Sequence, residues 1–413
     1  MSQGLEEGLT SLEEAQRLVL LSVRPVGTEW AGIINALGRT LAEDVHASED
    51  LPRFDNSAMD GYAVVAQDTA GASAENPKSF RLVGEAAVGE GPELKVAPGS
   101  AVRVMTGTAI PEGADAVVMV EDTHAEGRLV LVTREVQPGE NIRPAGEDVR
   151  AGELVLPKGT LIGPAEMGML AAVDRHGVLV SRRPGVSVIT TGDEVVDLME
   201  PLKPGKVRNS NRYSLAGQVF SAGCELGTLL HARDDPALVR KAVESARQSD
   251  VIVIAGGISV GQHDYVGDVL AQLGKVAFRK VAIRPGKPTA FALVEGTPVF
   301  ALPGNPAGAM VSFELLVRPA LLAMLGRRRP NRAVASAILA EDFRHEPGRR
   351  DFARAVASPE AGRLVARPLP RQGSGLLKPM VEANCLLIVP EDVELLRAGD
   401  KAQIILLDPF LFC

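Results

Sequence analysis

Between residues 183 and 327 short apolar runs alternate with amphipathic stretches, and no other feature of the chain narrows its fold as much. VIVIA (251–255) has no polar residue for either face of a strand, so both faces need a cover. VSVIT (186–190), with Ser187 and Thr190 as its polar residues, and VFAL (299–302) are further short, mainly apolar runs. Between them NSNRYSLAGQVFSAG reads as a helix, with Asn209 or Ser210 as candidate cap and Gly223 as stop. A second helix, ALVRKAVESARQ, follows Asp235 with Pro236 at the favoured first position. A third at about 265–273, strands near 276–283 and 298–302, and a long apolar helix after PGNP complete the region. Such alternation predicts a doubly wound, mostly parallel α/β sheet over residues 183–327.

The flanking regions differ in texture. Ser11 and Glu14 form a capping box ahead of Leu12, Ala15, Leu18, Val19 and Leu21, so a helix opens the chain and Pro25 and Gly27 end it. Gly32 to Leu41 reads as a second helix and 164–173 as a third. From 51 to 155, FRLVG, SAVRVM, DAVVMV and RLVLVTREV recur at roughly ten-residue intervals between Gly and Pro, the pattern of an antiparallel β module. After Arg327-Arg328-Arg329-Pro330, ASAILAE, DFARAVA, RLVARPL, CLLIVP and KAQIILL predict a small all-β module. The expected division is a helical linker domain (1–50 with 151–182), a β-rich module (51–150), the α/β domain (183–327) and a C-terminal β module (328–413). That suits 413 residues, since domains average roughly 150.

Composition removes whole classes of function. Asp plus Glu outnumber Lys plus Arg by 52 to 44, for a net charge of −8, and aromatics are 4%. That speaks against nucleic acid as a partner. No apolar run reaches the roughly 18 residues of a membrane span, so no membrane partner is expected. Cys224, Cys385 and Cys413 lie far apart and make neither a zinc site nor a disulfide framework, which predicts a reducing, cytoplasmic setting.

Chemistry is expected beyond the carboxyl ends of the parallel strands. VSVIT runs into Thr191-Gly192-Asp193-Glu194, and VIVIA into Gly256-Gly257-Ile258-Ser259-Val260-Gly261 with Asp264 three residues on. VFAL runs into Pro303-Gly304-Asn305-Pro306. One glycine loop is only a tight turn; three at the strand ends of one domain point to an anion or nucleotide pocket. Asp193, Glu194, Asp234, Asp235 and Asp264 lie beside these loops and suit a hard divalent cation shared with phosphate. Helix capping is the plainer account of Asp235 and competes for Asp264. Arg279-Lys280-Val281-Ala282-Ile283-Arg284-Pro285-Gly286-Lys287-Pro288 puts cations on a stretch stiffened by prolines, so an arriving anion has less to order.

Seven segments then match in order: PRFDNSAMDGYA (52–63), RVMTGTAIPEGADAVVMVED (103–122), RPAGEDVRAGE (143–153), TTGDEV (190–195), GGISVGQHDY (256–265), RPGKP (284–288) and LPGNP (302–306). Together they resemble the molybdopterin molybdenumtransferase family, shared by bacterial MoeA and the E domain of gephyrin, over essentially the whole chain. The resemblance implies a four-part subunit, an elongated homodimer and a cleft shared between subunits. The implied reaction joins adenylylated molybdopterin and molybdate to give molybdenum cofactor and AMP, supported by Mg²⁺ or a similar ion. It implies Arg284, Lys287 and Pro288, with Arg349 and Ser374, at the molybdate. Gly256, Gly257, Ser259, Gly261, Pro303, Gly304 and Asn305 would cradle the pterin phosphates. Glu194, Asp234, Asp264 and Lys280 would line the cleft, with Glu194 and Asp264 on the metal. Asp60, Thr106 and Asp148 would come from the β module, the other subunit's copy being the candidate source. A molybdopterin adenylyltransferase and acceptor molybdoenzymes are the further partners implied.

Two positions depart from the family pattern. Ala307-Gly308 replaces the usual Val-Ser after PGNP, which removes one hydroxyl donor, and Arg284 stands where Lys is frequent. Arg keeps the charge and adds a fork. Two rival readings stand beside this one: a molybdopterin adenylyltransferase, which needs only the α/β domain, and a non-catalytic dimeric scaffold that binds peptides. The retained Asp60, Asp148, Glu194, Asp234 and Asp264 have no use in a scaffold.

Overall fold

A computed structural model describes residues 8–89, 94–258 and 264–407. At its centre is a six-stranded sheet in the order Glu225–Ala232, Gly185–Thr191, Val251–Ala255, Thr297–Leu302, Ala290–Val294 and Lys275–Phe278. Its first four members are parallel and Ala290–Val294 runs antiparallel to both of its neighbours, so the mostly parallel sheet predicted from the apolar strands is present. Strand periodicity assigns the faces. Val251, Val253 and Ala255 pack with Leu215, Val219 and the helical run 306–324; Ile252 and Ile254 pack with Val239, Val243, Val266 and Leu270. Helices therefore cover both faces. Two strands escaped the sequence reading: Glu225–Ala232, an edge strand with much of its length exposed, and Ala290–Val294.

The helices sit close to where their caps place them. Asn209, not Ser210, caps Ser210–Ser221, and Asp235 caps Pro236–Ser245 with bonds from Ala237 and Leu238. The first helix is Leu12–Ser22; Ser11 accepts from the Glu14 N–H, but the Glu14 carboxylate turns to Arg17 and leaves the capping box half made. Sequence grouped this helix with the linker, yet Leu12, Ala15 and Val19 belong to the α/β core. Pro319 explains part of that docking. It has no N–H to return to Leu315, and the Leu315 carbonyl accepts instead from Gln16 Nε2 at 2.8 Å. The run Pro306–Met324 is long and apolar enough to cross a bilayer, contrary to the reading that no run was. Its most apolar stretch is 83% buried, which makes it a core helix.

The expected helix over 32–41 does not form. Thr28–Gly32 is a strand paired with Gly177–Ser181, and only Ile33–Ala36 makes a short 3₁₀ turn before Gly38 takes a φ of +74°. Ala31, Leu41, Val178, Val180 and Leu170 close this small unit. The first β module is a six-stranded sheet in which Lys78–Glu85 runs parallel to Ser100–Val104, the one exception to the antiparallel expectation. In the C-terminal module Arg350–Glu360 pairs with both Arg363–Pro368 and Cys385–Val389, which closes the sheet into a small barrel. Its narrow interior is filled by Ala337, Ala353, Ala355, Ala357 and Ala366. Ile283–Arg284 adds to this barrel as a parallel partner of Arg350 and Asp351, tying the α/β domain to it.

Phe300 is fully buried and stacks on Phe291 at a centroid distance of 4.8 Å. Phe300→Ala is expected to destabilise the α/β domain by about 3–5 kcal/mol, read as a lower denaturant midpoint for its unfolding transition.

Candidate active site

The three glycine loops follow neighbouring parallel strands and meet in one cavity of about 990 Å³. Thr191, Gly192, Asp193 and Glu194 line it from the first, Gly256 and Gly257 from the second, and Pro303, Gly304 and Asn305 from the third, with Asp234 beside them. Glycine is required at Gly256: its φ is +100°, and a side-chain carbon would lie 2.7 Å from the Thr191 carbonyl oxygen. Ser259 and Gly261 lie outside the described residues. Two polar atoms of the lining are buried without a hydrogen-bond partner, Thr191 Oγ1 and Asn211 Oδ1. Thr191 is only 4% exposed. Asn211 donates through Nδ2 to the Gly304 carbonyl at 2.7 Å, which fixes the amide and leaves its oxygen without a hydrogen-bond partner. Sequence reasoning placed Thr191 in a pocket loop without giving its hydroxyl a role, and it passed over Asn211, because nothing in a helix start such as NSNR marks such an amide.

The carboxylates divide by partner. Arg233 bonds Asp193 at 2.9 Å and holds its carboxyl below the usual range. Asp234 accepts from the Asp193 N–H at 3.1 Å. The exposed Glu194 carboxylate has no partner among the described residues and stands open to the cavity. Asp264 caps Tyr265–Leu273, accepting from the Gly267 N–H at 2.8 Å, and burial raises its carboxyl. Tyr265 lines the cavity; Asp264 and Lys280 do not. Lys280 gives its carbonyl to the Thr10 N–H, and its charge is felt at Asp264. No group of three or more His, Cys, Asp or Glu among the described residues could hold a metal alone.

A second pocket of about 390 Å³ adjoins the first through Pro288, Pro303 and Asn305, which line both. Here Arg284, Lys287 and Arg349 converge with Ser374 and Gln372. Arg284 and Arg349 meet because the pairing of Ile283–Arg284 with the barrel brings the two segments side by side. Fully buried Thr289 and Ser312 hold the loop from behind: the Thr289 hydroxyl donates to the Gly286 carbonyl at 2.7 Å and lies 2.9 Å from Ser312 Oγ. Asn305 Nδ2 donates to the Ser374 hydroxyl at 3.0 Å, fixing the last member. At Gly308 a side-chain carbon would sit 3.3 Å from the Pro303 ring, so the departure from the family pattern coincides with a tight backbone approach.

Asp60, Thr106 and Asp148 are exposed and line neither cavity of the protomer. Their segments do converge. Asn56–Ser57 pairs with Ile142–Arg143, Leu51 with Val149, and Asn56 with Ala109. The Thr106 N–H and hydroxyl both donate to Asp60 Oδ1, at 2.7 and 2.9 Å.

Comparison with known proteins follows the same divisions. Residues 10–173 match the MoeA N-terminal region (domain I and II), 187–323 a probable molybdopterin binding domain, and 336–407 the MoeA C-terminal region (domain IV). The chain is 37% identical to molybdopterin molybdenumtransferase of Bacillus subtilis over 404 residues, covering 96% of this chain and 94% of the relative. It is 38% identical to molybdopterin molybdenumtransferase 2 of Mycobacterium tuberculosis over 403 residues, 96% and 99% of the two chains. The chain belongs to the molybdopterin molybdenumtransferase family. The fold agrees: the crystal structure of the molybdopterin biosynthesis MoeA protein from Pyrococcus horikoshii superposes with a TM-score of 0.84 at 34% identity, covering 96% of this chain and all of that one.

The Thr106 N–H, then its hydroxyl, keep the Asp60 carboxyl below its ordinary value. A lowered acid stabilises the folded state above its unfolded pKa, and that contribution disappears as pH falls through the folded value. Thr106→Val is therefore expected to raise the Asp60 pKa in a carboxyl-resolved NMR titration. The stability difference between the two proteins should close as pH drops below about 4.

Proposed function

We propose that this protein is a molybdenum insertase, converting adenylylated molybdopterin and molybdate to molybdenum cofactor and AMP. The observation that carries this reading is the pair of adjoining pockets. The larger has the glycine loops and strand-end N–H groups that suit a pyrophosphate-bearing ligand, and the smaller has the fixed cations that suit a tetrahedral dianion. Residues shared by the two walls bring oxyanion and pterin to one place, which supplies proximity and orientation for the transfer. No covalent protein intermediate is part of the proposal.

A hard divalent ion such as Mg²⁺ fits the larger pocket. The unpartnered Glu194 carboxylate and the orphaned Thr191 hydroxyl are oxygen donors, and an ion shared with phosphate oxygens needs only one or two protein carboxylates. We assign it to Glu194, with Asp264, outside the cavity lining of the protomer and next to the lining residue Tyr265, as the further carboxylate. Such an ion neutralises charge on the leaving phosphate. Glu194 would hold it while Asp234 and Asp193 set the loop. The homodimer is part of the same proposal: Asp60, Thr106 and Asp148 face solvent away from both pockets, and the partner's copies would complete the cleft. The isolated, buried Cys224 and Cys385 support a reducing, cytoplasmic setting. A molybdopterin adenylyltransferase as supplier and molybdoenzymes as acceptors complete the proposed partners.

Release of AMP on mixing the protein with adenylylated molybdopterin and molybdate tests the reading; no AMP would reject it. Glu194→Gln should slow that release on the order of 10²-fold, about 3 kcal/mol of barrier, with folding unchanged. Lys287→Ala should raise the molybdate requirement about tenfold, since a charge-assisted contact contributes roughly 1.5–3 kcal/mol. The pterin requirement should hardly move, and a shift confined to the pterin titration would overturn the assignment.

A further inference from the structure

The oxyanion pocket holds a carboxylate. Glu346 lines it together with Arg284, Lys287 and Arg349, and its Oε2 accepts from Arg284 Nη2 at 2.7 Å. The partners are unequal: the Arg284 side chain is 24% exposed, whereas that of Glu346 is 81% exposed. Arg284 is thus part of the wall, and Glu346 reaches it from the solvent side. Its neighbour in the same segment behaves differently. Arg350 is held by Glu391 and by Glu13 in a pocket on the other side of the strand, and none of these three lines the oxyanion site. Beneath Arg284, the strand register places the buried Asp351, whose carboxyl burial pushes up and which the charges of Arg284, His345 and Arg354 pull back.

We propose that Glu346 is a displaceable counter-charge of this pocket, a carboxylate that occupies Arg284 until an oxyanion replaces it and so sets how tightly the site holds its anion. The inference rests on reading this pocket as the oxyanion site. Its logic is electrostatic exchange. A singly charged anion that evicts Glu346 replaces one negative charge by another at the same guanidinium and gains little. A dianion puts two charges among Arg284, Lys287 and Arg349 and gains the difference. Eviction itself costs little, because the carboxylate returns to water it already touches and an exposed ion pair is weak. Every arriving anion meets that same small cost, so the carboxylate lowers the affinity of the site without reordering its preferences, and a dianion keeps the advantage of its second charge.

Equilibrium binding of molybdate to the full-length protein tests this, by calorimetry at fixed ionic strength with chloride and nitrate as competitors. Glu346→Gln is expected to bind molybdate roughly three- to fivefold more tightly, the range an exposed pair can contribute. Chloride and nitrate should gain no more than molybdate does, so their competition against it should not increase. Sulfate, another dianion, should gain as molybdate does. Unchanged molybdate affinity would overturn the proposal. Weaker binding would overturn it too, because Glu346 would then be orienting Arg284. Lys287→Ala separates the two levels. If the wild type binds no molybdate, or Lys287→Ala binds it undiminished, the pocket assignment fails and the proposal with it. If Lys287→Ala weakens binding while Glu346→Gln leaves affinity alone, only the proposal fails.

Discussion

Everything at the site depends on three parallel strands that are buried on both faces and stop side by side. Gly185–Thr191, Val251–Ala255 and Thr297–Leu302 have their interior contacts satisfied along their length, so the irregular backbone is confined to their carboxyl ends. Three turns must then be made at one rim of the sheet, and glycine makes them where a side chain would strike the neighbouring loop. A concave, polar surface with open N–H groups results from the packing itself. The chain needs no separate element to build this cavity.

The smaller pocket depends on a different connection. Two residues of the α/β domain, Ile283 and Arg284, act as an edge strand of the C-terminal barrel. Through that pairing the barrel's arginine-bearing segment and its Gln372–Ser374 loop lie against the loop that carries Lys287. Cations that would repel one another in free chains are held together by a backbone ladder, by the Thr289–Ser312 contact and by Asp351 below. Field strength at the pocket is thus a property of the domain interface, while the larger cavity belongs almost wholly to one domain.

Strand and helix patterning carried most of the α/β architecture, because VIVIA can only be an inner strand and because Asn209, Asp235 and Asp264 sit where caps belong. Patterning failed where pairing partners decided the outcome. Thr28–Gly32 has a helix-like neighbourhood, yet it pairs with a strand some 150 residues away that no local signal announces. Glu225–Ala232 is an exposed edge strand and lacks the apolar run that betrays its inner neighbours. At the site, Gly256, Asn305 and Arg284 were legible by chemical type and Thr191 as a loop position, whereas Arg349 came only with the family resemblance. Asn211 and Glu346 were not legible, since what marks them is an unpaired oxygen or a salt bridge across 62 positions.

The docking of the first helix bears on how the chain is made. Leu12, Ala15 and Val19 complete the core of the α/β domain, and Gln16 satisfies a carbonyl that Pro319 leaves open. A ribosome releases that helix long before its partner surface exists, at roughly 5–20 residues per second. During that delay of tens of seconds the first β module, whose sheet spans 61–132, has all its pairing partners in hand and can close by itself. The helix cannot. Its apolar stripe stays uncovered through nascent-chain growth, and the α/β core closes only when residues beyond 320 bring their side of the groove. Maturation is therefore out of chain order: a helix synthesised some 300 residues before its partner surface is among the last elements to find its place.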